Sequence, residues 1–160
     1  MTPPAAGLAR VEAAAVVLGL DVEFCERPAA RSLPEAAEIL GITPAGIVKT
    51  LVVRRGADDH VFVLVPGDRA IAWPKLRAVL GVNRLQLAPP EEALSATGYE
   101  RGAITPLGSA HPWPVIADES VRGERIAMGA GTPGYSLFVD ADALLAALDA
   151  RVADVTEPAR

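Results

Sequence analysis

The most strand-forming stretch of this chain is Gly46-Ile-Val-Lys-Thr-Leu-Val-Val53, and a second such run, His60-Val-Phe-Val-Leu-Val-Pro66, follows seven positions later. β-branched residues suit a pleated, half-buried surface, so the two runs predict a hairpin with Gly56-Ala-Asp-Asp59 as its loop. Strand alternation puts Ile47, Lys49, Leu51 and Val53 on one face and Val48, Thr50 and Val52 on the other. The ammonium of Lys49 thus shares a face with three apolar side chains. Burying an unpaired ammonium is costly or lowers its pKa, so this lysine needs a partner, an opening or a ligand. One reading is a side chain snorkelling off a strand edge. The other is a lysine at the floor of a pocket for an anion or a carbonyl. Usage favours the second: the chain has 13 Arg and only 2 Lys. Lysine differs from arginine in being a compact point charge with a tunable pKa.

Around this hairpin the pattern alternates between helix and strand without regular βαβ repetition. Residues 7–19, after Pro3-Pro4, read as an Ala- and Val-rich helix, and 20–27 as a short strand. Ser32-Leu-Pro-Glu35 is a capping box and Gly41 a stop signal, bracketing a helix over Glu35–Leu40. Further helices are expected at Trp73–Leu80, after Pro89-Pro90, and at Ala141–Leu148, where Asp140 or Asp142 stands at an N-cap. Strands are expected at Arg84–Ala88, Val115–Ala117, Glu124–Met128 and Tyr135–Val139, with a last short one before the C-terminus. The fold class is α+β: one domain over residues 1–160, its core at about 10–155, with a mixed, curved, barrel-like sheet flanked by helices.

Two glycine-rich loops stand out. Gly129-Ala-Gly131-Thr-Pro-Gly134 matches the dinucleotide fingerprint in letters only. The fingerprint needs a helix after its last glycine, and Tyr-Ser-Leu-Phe-Val reads as a strand. A hairpin loop with positive-φ glycines, or a wall where backbone approaches a ligand closely, remain as readings. Gly98-Tyr-Glu-Arg-Gly102-Ala-Ile-Thr-Pro106-Leu-Gly108 fixes an irregular backbone. It reads either as a structural loop or as a means of aiming amides at an oxyanion.

Other signals are bland. His60 and His111 lack the partners of a catalytic triad, and Asp118-Glu119 reads as turn chemistry. Cys25 is the single cysteine, so no intrachain disulfide forms, and the Cys/His spacing suits no metal. No cofactor is expected. Net charge −5 argues against a general polyanion binder. No segment has the run of apolar residues that spans a membrane, and a cytoplasmic location is expected.

Taken together these segments resemble the YbaK/ProX family of free-standing aminoacyl-tRNA deacylases, relatives of the editing domain of bacterial prolyl-tRNA synthetases. The resemblance is carried by Ala36–Ile42, Ile47–Val53, Gly98–Gly108, Pro114–Asp118 and the Gly129–Gly134 loop, in family order. It implies one pocket and hydrolysis of mischarged aminoacyl-tRNA, with a small amino acid such as Ala, Ser, Thr or Cys, on tRNA-Pro or a related tRNA. It implies Lys49, Gly102, Thr105 and Pro106 as catalytic residues. Ala103, Ile104, Gly129, Ala130, Gly131 and Thr132 become substrate-binding residues, and no metal is implied. The aminoacylated 3′ end of a tRNA is the implied partner, with prolyl-tRNA synthetase or another translation factor as a further one. Arg54, Arg55, Arg77, Arg84 and Arg101 are candidates for tRNA backbone contact. This chain departs from the cysteine-clearing branch, which carries a Ser at the position of Gly129, an Asp near Ser136 and a Tyr near Arg27. The rival reading is a non-catalytic module of the same fold that binds a nucleotide or an aminoacyl ester.

Overall fold

The computed structural model describes residues 6–123 and 125–159. Pro3-Pro4, Glu124 and Arg160 lie outside them. The elements run α1 (Ala6–Leu18), β1 (Glu23–Glu26), α2 (Leu33–Leu40), β2 (Val48–Gly56), β3 (Asp59–Pro66), β4 (Arg69–Ile71), α3 (Trp73–Leu80), β5 (Gln86–Leu87), α4 (Pro90–Thr97), β6 (Val115–Asp118), β7 (Ile126–Gly129), β8 (Tyr135–Val139), α5 (Ala141–Ala147), β9 (Arg151–Ala153) and β10 (Thr156–Pro158). No described helix is long and apolar enough to cross a membrane.

The expected hairpin forms: β2 pairs antiparallel with β3 from Val48↔Pro66 to Gly56↔Asp59, with a bulge between Arg54 and Gly56. Pro44–Gly46 forms a 3₁₀ turn that delivers the chain to β2, which starts at Val48. β3 is buried along nearly its whole length because β2 and β6 flank it and both faces of its sheet are covered. That explains its unbroken apolar run.

Among the described residues the strands do not close into a barrel. The described strands form a five-stranded sheet in the order β5-β2-β3-β6-β9, a three-stranded sheet β1-β8-β7, and a pair β10-β4. A single parallel bridge, Ile47↔Ala127, links the first two. The expected mixed, barrel-like arrangement of strands flanked by helices is present, with the two sheets joined at this bridge rather than by continuous pairing. β3, β6 and β9 are parallel neighbours, which makes the large sheet mixed as expected.

Two cores fill the space on either side of the large sheet. Val48, Val52, Phe62, Leu64 and Ala117 pack with Met128, Leu137 and Val139 of the small sheet. Val53, Val61, Val63, Val65 and Ile116 pack with Ile71, Leu76 and Val155 on the opposite side. The alternation read from β2 and β3 is what divides these sets.

The capping signals are realised. Ser32 Oγ accepts from Glu35 N at 3.2 Å, and Gly41 closes α2 in the left-handed region at φ 72°. Asp140 caps α5 through Ala143 N at 2.8 Å. Several expected strands are shorter: only Glu23–Glu26 of 20–27 and only Gln86–Leu87 of 84–88 find partners. β7 pairs over Ile126–Gly129, one residue beyond the expected end.

Candidate functional site

A cleft of about 480 Å³ opens beside the first half of β2, walled by α2, α4, β7 and the loop after α4. Its apolar sides come from residues such as Leu33, Ala36, Leu40, Ala93 and Met128. The polar groups are few: Lys49, Thr50, Arg27, Ser32, Arg101 and Ser136. Among the described residues that line it, three carry positive charge and none is a carboxylate, although the chain has 20 acids against 15 bases. An acidic protein has thus kept one concave surface cationic, a placement suited to an anionic ligand.

Lys49 lines this cleft and is half-buried. Its Nζ donates to the Arg69 carbonyl at 2.8 Å, a bond that fixes the ammonium against β4. Burial pushes its pKa below the ordinary lysine value, and the nearby Asp68 carboxylate works against that shift. The carbonyl takes one of the three N–H donors and leaves two. The acceptor is itself held in place. The Arg69 side chain donates to Thr156 Oγ1 at 2.6 Å and lies 3.9 Å from Asp118 Oδ2.

Asp118, which reads as a turn residue in the sequence, is 1% exposed. Burial would raise its pKa, but its hydrogen bonds outweigh that and hold it below the ordinary carboxylate value. Oδ1 accepts from Val155 N at 3.0 Å, and Oδ2 from Ser120 N at 3.1 Å and from the Ser120 hydroxyl. The carboxylate therefore pins β10 to the end of β6. β10 in turn pairs with β4, the strand that carries the Lys49 acceptor.

Elsewhere in the cleft lining the Gly102–Pro106 loop meets the Gly129–Thr132 loop. Gly102 adopts φ 90°, where a side chain is disfavoured. A Cβ on Gly129 would stand 2.5 Å from the Ile104 carbonyl oxygen, so the two backbones touch only because residue 129 has no side chain. Gly131 N donates to Ala103 O at 2.9 Å and ties the loops together. Gly102, Ile104 and Gly129 line the cleft with Lys49.

The remaining candidates stand behind this wall. Ala103, Ala130 and Thr105 are fully buried. Thr105 Oγ1 accepts from Leu107 N at 3.3 Å, a local turn bond. Thr132 Oγ1 accepts from Leu8 N at 3.2 Å and so serves the first turn of α1. Gly131 lets α1 approach, since a Cβ there would lie 2.8 Å from the Gly7 carbonyl oxygen. Pro106 follows Thr105 outside the cleft lining.

Sequence reasoning did not place Arg27, Ser136 and Thr50 in the cleft. Arg27 Nε donates to Ser136 Oγ at 2.9 Å, across 109 positions of chain. Of the five arginines named for nucleic-acid contact, Arg101 lines the cleft, whereas Arg54 and Arg55 are engaged by Glu92 and Asp59. His60 is buried and pairs through Nε2 with Glu92 Oε2 at 2.8 Å, away from the cleft.

The arrangement can hold an anionic, partly apolar ligand against a lysine and a rigid backbone wall. Comparison with known proteins gives this geometry a relation. The chain is 37% identical over 100 residues to the proline–tRNA ligase of Thermosipho melanesiensis, covering 62% of this chain and 17% of that protein. It is 35% identical over 115 residues to the proline–tRNA ligase of Thermotoga maritima, covering 72% and 19%. The chain therefore spans about a fifth of those ligases. It is 28% identical over 126 residues to the "Putative Cys-tRNA(Pro)/Cys-tRNA(Cys) deacylase EbsC" of Enterococcus faecalis, covering 78% and 77%. A solved structure described as "a putative trans-editing enzyme for prolyl tRNA synthetase" superposes with a TM-score of 0.86 at 31% identity, covering 98% of this chain and 99% of that one. The family profile for the aminoacyl-tRNA editing domain matches residues 27–147, which hold β2, both loops and every residue that lines the cleft, and the chain belongs to that family.

Proposed function

We propose that this chain is an aminoacyl-tRNA deacylase that acts in trans, hydrolysing the ester between a wrong amino acid and the 3′-terminal adenosine of a tRNA. The observation that carries the reading is the cleft itself: among the described residues that line it, one lysine, two arginines and no carboxylate share the space with a glycine-built backbone wall, in an editing-domain fold. An aminoacyl ester is already activated, so a positioned water and a stabilised oxyanion suffice without a covalent nucleophile.

Each residue then has a role that its surroundings support. The Gly102 and Ile104 amides donate to no other backbone group among the described residues, which leaves them for the ester carbonyl or the attacking water. Gly129 sets how closely the wall approaches them. Ala103, Thr105 and Pro106 hold the loop from behind, and Ala130, Gly131 and Thr132 hold the second loop against α1. Lys49 uses its remaining donors on the phosphate of the terminal nucleotide or on the ester carbonyl. Arg27 and Arg101 add charge for the incoming polyanion. The cleft must admit a terminal adenosine as well as the acyl group, so side-chain size acts as a sieve.

The substrates we propose are tRNA-Pro or a related tRNA carrying Ala, Ser, Thr or Cys, with prolyl-tRNA synthetase as the accompanying partner. The test is release of free amino acid from a panel of such tRNAs, with and without the synthetase. Faster release than the uncatalysed rate from one or two species names the substrate. Release from none, combined with retained binding, replaces the enzyme with a binding module.

A further inference from the structure

The cleft offers an amino acid no counter-charge. Among the described residues Arg27, Lys49 and Arg101 line it and no Asp or Glu does. A protonated α-amine entering this space meets like charge, which disfavours its charged form.

The same cleft does offer a neutral acceptor. β2 is flanked by β3 on one edge along its whole length. On the other edge it meets β7 only at Ile47↔Ala127 and β5 only at Val53↔Leu87 and Arg54↔Gln86. Val52 O accepts from Ala88 N at 2.9 Å, so the backbone groups of Val52 point to the β5 edge. Ile47 O accepts from Gly67 N at 2.7 Å, so those of Ile47 point to the β3 side. Backbone direction alternates along a strand, which puts the N–H and C=O of Thr50 on the same edge as those of Val52. No described strand pairs with that edge between the two contacts, and Thr50 lines the cleft. An unpaired strand edge facing a ligand space is a ready donor–acceptor pair.

We propose that the cleft reads the α-amine of the acyl group in its uncharged form, with the Thr50 carbonyl as its acceptor. The inference rests on the deacylase reading and deepens it. It also extends the substrate class: esters of α-hydroxy acids, whose hydroxyl donates one hydrogen bond and never carries charge, are substrates too.

Three esters on one tRNA test this: alanyl, lactyl and propionyl, which differ only in amine, hydroxyl or hydrogen at the α-carbon. For each, kcat/KM is measured from pH 5.5 to 8.5 and divided by the uncatalysed rate at the same pH. An α-amine titrates at about 7.7–8.0, so the neutral fraction falls about tenfold per pH unit below that. The alanyl-to-lactyl ratio is expected to fall toward tenfold per unit at low pH and to level off above pH 8. Arg27→Gln removes one like charge and is expected to raise the ratio at pH 5.5. The propionyl ester, with no donor for Thr50, is expected to be at least tenfold poorer than the lactyl ester. A ratio that is flat or rises as pH falls overturns the uncharged-amine inference alone. Propionyl hydrolysis as fast as lactyl hydrolysis overturns Thr50 as the acceptor. Hydrolysis of none of the three overturns the deacylase reading and the inference with it.

Discussion

Replacing Asp118 by Asn tests the brace behind Lys49. The carboxylate places one oxygen on Val155 N at 3.0 Å and the other on Ser120 N at 3.1 Å and the Ser120 hydroxyl. A carboxamide has one acceptor oxygen, so in either orientation its NH₂ faces a backbone N–H. One buried donor is left unsatisfied, at about 1–3 kcal/mol, and the other bonds lose their charge assistance, at about 1 kcal/mol more. The expected loss is about 2–4 kcal/mol, or roughly 5–15 °C in Tm for a domain of this size. Thermal and urea unfolding at pH 7 measure it. The pH dependence carries a second signature. Asp118 has a folded pKa below its unfolded value, so its contribution is fully present above that unfolded value, about 3.9, and is lost as pH falls through the folded one. The gap between wild type and Asp118→Asn should hold from pH 7 to about pH 5 and shrink below about pH 4. Asp59 and Glu92 also have lowered pKa values, so the difference between the two proteins, not the wild-type curve alone, is the readout. A stability loss under about 0.5 kcal/mol, or a gap that persists at low pH, refutes the reasoning.

Other parts of the account make separate predictions. Tyr99→Phe leaves the Leu107 carbonyl without the hydroxyl now 2.7 Å away, and unfolding should show a loss of about 1–2 kcal/mol. Gly131→Ala forces a side chain at φ 83° with its Cβ 2.8 Å from the Gly7 carbonyl oxygen, and should cost about 2–4 kcal/mol, read by Tm. Gly56→Ala meets only the Asp59 Cβ at 3.9 Å and serves as the silent comparison. The ammonium of Lys49 has a lowered pKa, so kcat/KM corrected for uncatalysed hydrolysis should begin its alkaline decline below the ordinary lysine value of about 10.4. A decline that begins only at or above that value would detach the charge of Lys49 from the reaction.

Much of this was legible in the sequence, for identifiable reasons. The hairpin and the two-sided packing of β2 follow from a long β-branched run, and the caps at Ser32, Gly41 and Asp140 follow from local chemistry. The one lysine on an apolar face, conspicuous in the sequence, lines the cleft. Lys49's partner was not readable, because a backbone carbonyl 20 positions away leaves no trace in residue type. Asp118 looked like a turn acid because its decisive partner, Val155 N, is 37 positions distant. The Arg27–Ser136 contact is hidden by the same remoteness. Thr105 and Thr132 shared motifs with cleft residues, and only packing shows that their hydroxyls serve nearby backbone amides behind the wall. How the strands divide between two sheets was not readable, because propensity does not say whether β2 and β7 stay paired past Ile47.

The central claim is that Lys49 and the glycine-built wall of the same cleft form a deacylating site. The direct measurement is kcat/KM for the fastest-hydrolysed mischarged tRNA, comparing wild type with Lys49→Ala at a temperature where both are folded. Removing one preorganised donor of this kind costs about 10²–10³ in rate, and a loss of that size with an intact unfolding transition is the predicted result. Hydrolysis by Lys49→Ala within threefold of wild type would contradict the account.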